Sequence, residues 1–220
     1  MRPASGIAVQ RLHALHRPEI GRHLLDLPAH DRRLRFGQAV RDDMIQRYVA
    51  GIDLGRDRLF GVFAPDLRLF GFAHLALEPD GRSAELGLSV VADRRGKGYG
   101  AALLERSVLH AANRGCRTLF MHCLAENEIM MHLAVKAGLT VVVRYGEADA
   151  KLALDRRAHG GALREAMADQ VALVDYILKQ QYSLFARPAV ESRGAGESDD
   201  ERGPAARAAK TPEGAVPNHA

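Results

Sequence analysis

The feature that most constrains this chain is the run Arg95-Gly96-Lys97-Gly98-Tyr99-Gly100. It joins a β-like segment, Glu85 to Ala92, to a long apolar-periodic segment, Ala101 to Arg114. Three alternate glycines predict a tight turn there, because glycine reaches positive φ without strain. A strand, a glycine turn and a helix in direct succession indicate an α/β unit. The same arrangement is a place to hold phosphate, since a helix start offers unpaired N–H groups and the positive end of a dipole.

The flanking segments extend this unit. Ile7 to Leu15 reads as a first strand, and Pro18 to Leu27 and Asp42 to Ala50 as helices, the latter with Met44, Ile45, Tyr48 and Val49 at helical spacing. Arg58 to Ala64, Arg68 to Leu77 and Arg82 to Ala92 read as a meander, with Ala64-Pro65-Asp66 as a hairpin turn. After the glycine turn and its helix come a strand, Arg117 to Cys123, and a helix, Asn127 to Ala137, stopped by Gly138. Leu139 to Arg144 and Ala150 to Leu154 read as closing strands. Leu163, Met167, Val171, Val174 and Leu178 then recur at three- and four-residue steps, which predicts an amphipathic helix. Packing of that stripe onto the same domain is the simpler reading, and a dimer or partner surface is the alternative. From Arg187 onward, prolines at 188, 204, 212 and 217, with Val190 and Val216 as the only larger aliphatics, predict a disordered tail.

Composition excludes several classes. No stretch approaches the roughly 18 apolar residues of a membrane span, and Met1 to Gly6 has no apolar secretory core, so a cytoplasmic protein is expected. The net charge of +4 is spread over arginines interleaved with acids, and aromatics are 5% of residues. That argues against a dedicated nucleic-acid surface. Cys116 and Cys123 fit no zinc spacing and read as two small buried thiols, so no metal is expected.

The glycine turn is not a P-loop, because no Ser or Thr follows a Gly-Lys pair at the required spacing. Nor does it follow the first strand of a βαβ unit, as a dinucleotide fold requires. A turn that serves only the fold is the simpler alternative. However, Arg95-x-x-Gly98-x-Gly100 matches the [Gln/Arg]-x-x-Gly-x-[Gly/Ala] signature of the GNAT acetyltransferases. Ala84-Glu85-Leu86-Gly87-Leu88-Ser89-Val90 before it and Leu103-Leu104 after it also resemble that family. Asn127 to Leu139 is similar to the family's Asn-x-x-Ala-x-x-Leu-Tyr-x-x-x-Gly-Phe segment, with matched spacing from Asn127 to Gly138. The resemblance covers roughly residues 7–154.

It implies a GNAT fold: a mixed, mostly antiparallel sheet flanked by helices, over residues 1–156. The extra C-terminal helix would span 157–186 and the disordered tail 187–220. It also implies acetyl-CoA as donor. The diphosphate would sit on amides of Gly96, Lys97, Gly98, Tyr99, Gly100 and Ala101, with Arg95 adding charge and framing the turn. The pantetheine would pair with main chain at Leu88, Ser89 and Val90 like an added strand, an N–H of Val90 would polarise the thioester carbonyl, and Asn127 would bond near the pantetheine. Such enzymes transfer acetyl directly to an amine with the help of a base. Glu85 stands where several protein-lysine acetyltransferases carry that base, and a partly buried carboxylate on this strand would have a raised pKa. Pairing with Arg82 or Arg68 is the simpler reading of Glu85. His122, near the end of the strand that splays away, is the rival base, although a lone histidine is more often structural. His74, His110 and His132 read as surface or packing.

Ala134 replaces the tyrosine that often serves the family as acid. His30-Asp31-Arg32-Arg33-Leu34-Arg35-Phe36 resembles the Leu-Arg-Phe stretch of bacterial protein-lysine acetyltransferases. A charged helix-to-helix turn with Leu34 and Phe36 in the core is the simpler reading. The expected function is acetyl transfer to a primary amine, a protein lysine or a small molecule, by a monomer or homodimer. The alternative is an acetyl-CoA-binding module without turnover.

Overall fold

The computed structural model describes residues 6–185. Seven strands form one sheet in the order β1-β2-β3-β4-β5-β7-β6. The strands are β1 (Gln10–Leu12), β2 (Arg58–Phe63), β3 (Leu69–Leu77), β4 (Ser83–Val90), β5 (Thr118–Leu124), β6 (Thr140–Arg144) and β7 (Glu147–Ala153). Every neighbouring pair is antiparallel except β4 and β5. The helices are α1 (Arg17–Leu25), α2 (Ala29–Phe36), α3 (Asp42–Gly51), α4 (Tyr99–Asn113), α5 (Glu128–Lys136), α6 (Arg156–His159) and α7 (Ala162–Phe185). This is the mixed, helix-flanked GNAT architecture, with an added helix α7. The tail expected over 187–220 lies outside the described residues. Among those described, no helix is long and apolar enough to cross a membrane.

The sheet buries side chains on both faces, so β2 and β3 read as near-continuous apolar runs. One face carries Phe60, Leu75, Leu86 and Leu119 and is covered by Leu103 and Leu104 of α4. The other carries Leu59 and Phe72 and is covered by Ile20 and Leu24 of α1 and Ile45 of α3. Both phenylalanines are fully buried, and cutting either back to alanine would cost about 3–5 kcal/mol.

The parallel pair is the exception that matters. β4 and β5 are in register only over Ser83–Glu85 and Thr118–Phe120. Beyond that point β4 stays with β3 as far as Val90, while β5 stays with β7 as far as Leu124. The two strands therefore part and leave a wedge in the sheet.

Three expectations are corrected. The first strand is only Gln10–Leu12, because Ala14–His16 form a 3₁₀ turn that leads into α1, and Leu15 is 81% exposed. Residues 29–36 form a helix rather than a turn, capped by Gly37 at φ +73, and Leu34 is half-buried. The apolar stripe of α7 points outward: Leu163, Met167, Val171, Val174 and Leu178 are all exposed. The helix is held by its other side instead. Glu165 accepts from Arg106, His110 and Asn113 of α4, Ala172 is buried, and Tyr176 packs edge-on against Phe63 at 5.1 Å. Arg106, 4% exposed, needs those carboxylates, so the charged face of α7 turns inward.

Candidate active site

The wedge between β4 and β5 opens into a cleft of about 360 Å³, with Leu88, Ser89 and Val90 on one wall and Asn127, Met130 and Leu133 of α5 on the other. The glycine turn closes one end: Arg95, Gly96, Gly98, Tyr99, Gly100 and Ala101 all line it. Lys97 does not line it, and its ammonium turns back to the Asp93 carbonyl at 3.3 Å. Gly98 is the N-cap of α4 at φ +86, and no side chain caps the helix. The first-turn amides of α4 are therefore free for an anion in the cleft. A Cβ on Gly100 would stand 3.5 Å from Leu133 and 4.0 Å from Leu88, ordinary contacts at the floor of the cleft. These are the features that a CoA diphosphate and its pantetheine arm require.

Arg95 frames the turn as expected, with its Nε donating to the Val90 carbonyl at 2.9 Å. Its charge, however, is already partnered, because it bonds Asp31 of α2 at 2.7 Å and Asp31 is buried. Asn127 caps α5, its side-chain oxygen accepting from the Met130 amide at 3.2 Å. That leaves the Asn127 NH₂ group as the donor on the cleft side. The Ser89 main chain lines the wedge while its hydroxyl donates to His23 Nε2 at 2.8 Å. Burial lowers the His23 pKa to about 4, so the ring is neutral and its Nδ1–H donates to the Leu69 carbonyl. His23 is a cleft-supporting residue that no local motif marks.

Neither expected base lines the cleft itself. Glu85 is exposed, not partly buried, and sits at the last β4–β5 pair opposite Phe120. Its side chain shares a face with Gly87 and Ser89, two and four residues on. His122 follows Phe120 by two on β5 and so faces the same side across the gap. Its Nδ1 bonds the Asp149 carboxylate of β7 at 2.5 Å, and the imidazole is 57% exposed. The structure thus sets Glu85 and His122 on the two walls where the strands part. Ala134 is 1% exposed within the core under α5, so this position supplies no acid.

The profile of the Acetyltransferase (GNAT) family matches residues 23–139, more than half of the sequence. The chain belongs to the GNAT acetyltransferases. It is an acyltransferase that uses acetyl-CoA. Among solved structures, the GNAT domain of S. lividans PAT is similar at 17% identity, with a TM-score of 0.57, 66% of this chain covered and 89% of that one. Spermidine N-acetyltransferase from Vibrio cholerae, solved with CoA and spermine, is 18% identical with a TM-score of 0.55, covering 68% of this chain and 96% of that one. An acetyltransferase from Salmonella typhimurium, which modifies the N-terminal serine of ribosomal protein L7/L12, is 19% identical with a TM-score of 0.56, covering 70% of this chain and 98% of that one. Comparison with curated proteins by sequence finds no match.

On the Glu85 face the acetyltransferase also carries a chain of buried polar groups that sequence reasoning missed. Asp57, 4% exposed, accepts from His74 Nε2 at 3.0 Å. His74 Nδ1 meets the Tyr48 hydroxyl at 2.6 Å, and that hydroxyl accepts from Arg35 at 3.2 Å. Burial raises the Asp57 carboxyl, but hydrogen bonds from His74 and Arg56 outweigh it and hold the pKa below its ordinary value. For His74 burial dominates and lowers the pKa against the pull of Asp57. Burial likewise raises the Tyr48 phenol. The chain therefore runs from a carboxylate through a neutral imidazole and a phenol to a guanidinium, each link joining a donor to an acceptor. His74 and His110 are thus not loose surface or packing residues, although His132 does stand at the cleft rim. Cys116 and Cys123 are buried free thiols. Among the described residues no cluster of three or more His, Cys, Asp or Glu could hold a metal ion.

Proposed function

We propose that this protein transfers acetyl from acetyl-CoA directly to a primary amine that enters the parting of β4 and β5 from the Glu85 face. The observation that carries the reading is the single cleft formed by the uncapped start of α4 and the strand wedge. It joins an anion seat to an unpaired strand edge, which is what a CoA diphosphate and a peptide-like arm need at once.

In this reading the amides of the glycine turn hold the diphosphate, and main chain at Leu88, Ser89 and Val90 pairs with the pantetheine. The Val90 N–H polarises the thioester carbonyl as the amine attacks. Glu85 takes the proton from the incoming ammonium. Its carboxylate shares the face of β4 from which the acceptor approaches. The thiolate leaves without a tyrosine acid, since Ala134 is buried. A protein lysine is the acceptor favoured by the sequence of α2.

A second reading has a specific observation behind it. His122 and Asp149 form an oriented imidazole–carboxylate pair on the opposite wall, which suits a base as well. The two are separated by release of free thiol from acetyl-CoA with a panel of amines and lysine peptides. Turnover lost in Glu85→Gln and kept in His122→Ala supports Glu85, and the converse assigns the base to His122. Tight acetyl-CoA binding with no thiol release across the panel would mean a binding module rather than an enzyme.

A further inference from the structure

The arginines around the cleft share a pattern with one exception. Arg95 bonds Asp31, Arg33 bonds Glu126, and Arg32 bonds Asp42 at 2.5 Å. Arg35 has no carboxylate partner among the described residues. Its one hydrogen bond is to the Tyr48 hydroxyl, its Nε is buried with no acceptor, and its guanidinium lies over the rings of Phe36 at 5.2 Å and Tyr48 at 5.9 Å. A half-buried cation without a counter-charge is costly to hold, and ring faces offset only part of that cost.

The fold holds the cation there all the same. The Arg35 guanidinium fills the space where a Cβ on Gly87 would be, so residue 87 must be glycine for Arg35 to lie on the strand. From the other side the Asp57–His74–Tyr48 chain grips it. Arg35 lines the cleft, and Gly87 is where β4 has just left β5. Glu85 is two residues earlier on the same face of β4, roughly 7 Å away along the strand. A guanidinium and a carboxylate are thus set side by side at the mouth through which the amine enters.

We propose that Arg35 binds a carboxylate on the acceptor, so that the amine this enzyme acetylates is one with an anionic group close to it. Glu85 faces the ammonium and Arg35 the carboxylate, with a planar fork suited to two parallel hydrogen bonds. The carboxylate comes from a free amino acid or from an acidic residue beside a lysine. This rests on the transferase reading above.

The test uses matched acceptors: a lysine peptide with aspartate beside the lysine against the same peptide with alanine, and a free amino acid against its amide. In thiol-release assays the wild type should favour the carboxylate member by about 10- to 100-fold in kcat/KM, the range of one charge-assisted contact. Arg35→Gln should bring the ratio near one. Gly87→Ala, which keeps the charge but pushes the guanidinium off the strand, should lower it as well. A preference confined to one pair identifies the source of the carboxylate. Equal turnover of both members by the wild type, or a ratio unchanged in Arg35→Gln, overturns the proposal. Calorimetric titration of the CoA-bound protein with the two peptides reads the anion site without turnover. Preferential binding with no thiol release would leave Arg35 as an anion site and sink the transferase reading, whereas equal affinities would sink the anion site itself.

Discussion

The two faces of the sheet were built from different kinds of information. The wall of the cleft proposed to seat the donor is one continuous stretch, β4, the glycine turn and the start of α4, which offers backbone amides, with Asn127 and α5 opposite it. The side proposed for the acceptor is assembled from side chains far apart in sequence: Arg35 with Tyr48, Tyr48 with His74, His74 with Asp57, and His23 with Ser89. A backbone seat recognises a group common to every reaction of the family. A side-chain seat can differ from one enzyme to the next without disturbing the fold. The neighbours named above share this fold at under 20% identity.

The sharpest way to break this contrast is to damage the donor seat alone. Gly98→Glu forces a side chain to φ +86 and puts a carboxylate beside the diphosphate position. Acetyl-CoA affinity should fall about 1,000-fold or more by titration calorimetry, whichever acceptor is present. Next in size is the proton transfer on the acceptor side. Glu85→Gln should lower kcat about 100-fold, while acetyl-CoA affinity stays within a factor of two. His122→Ala should cost less than about 10-fold, and a larger loss would transfer the role of base to the His122–Asp149 pair.

A third test asks whether α7 belongs to either side. Burial works against the charge of Glu165, but hydrogen bonds from His110, Asn113 and Arg106 pull its pKa from 4.5 down to about 2. A depressed carboxylate stabilises the fold fully above about pH 4.5, and the contribution is lost as pH falls toward 2. The full shift corresponds to roughly 3 kcal/mol, and partial solvent screening brings the expected loss nearer to about 2 kcal/mol. Hydrogen exchange along Ala162–Phe185 should rise over that window while β3 and β4 stay protected, and uniform loss of protection would make α7 part of the central cooperative unit. The smallest effect is expected at the polar chain. Tyr48→Phe leaves His74 without its donor and should cost about 1–2 kcal/mol in denaturant unfolding, with acetyl-CoA affinity unchanged.

What the sequence made legible follows the same division. The glycine turn, the Asn127 segment and the meander are local patterns, so the mixed sheet and the candidate donor seat could be read residue by residue. Arg35 could be seen only as one charge in His30 to Phe36, because its hydrogen-bond partner Tyr48 is 13 residues away, and nothing local marks the glycine beneath it. The α7 stripe shows a subtler limit. Periodicity identifies a helix with two unlike faces, but which face turns inward depends on the neighbour. Here the neighbour offers Arg106 and His110, so the polar face won. Glu85 misled for a related reason: alternation along β4 placed it opposite the core, and the helices on that side leave it uncovered.

The bond between Arg95 and Asp31 has a mechanical consequence. Asp31 and Arg35 are one turn apart on α2, so a single short helix touches the donor turn with one residue and the acceptor mouth with the other. The two half-sites share a lever about 6 Å long. In the proposed reading the two substrates are then seated against one and the same short helix.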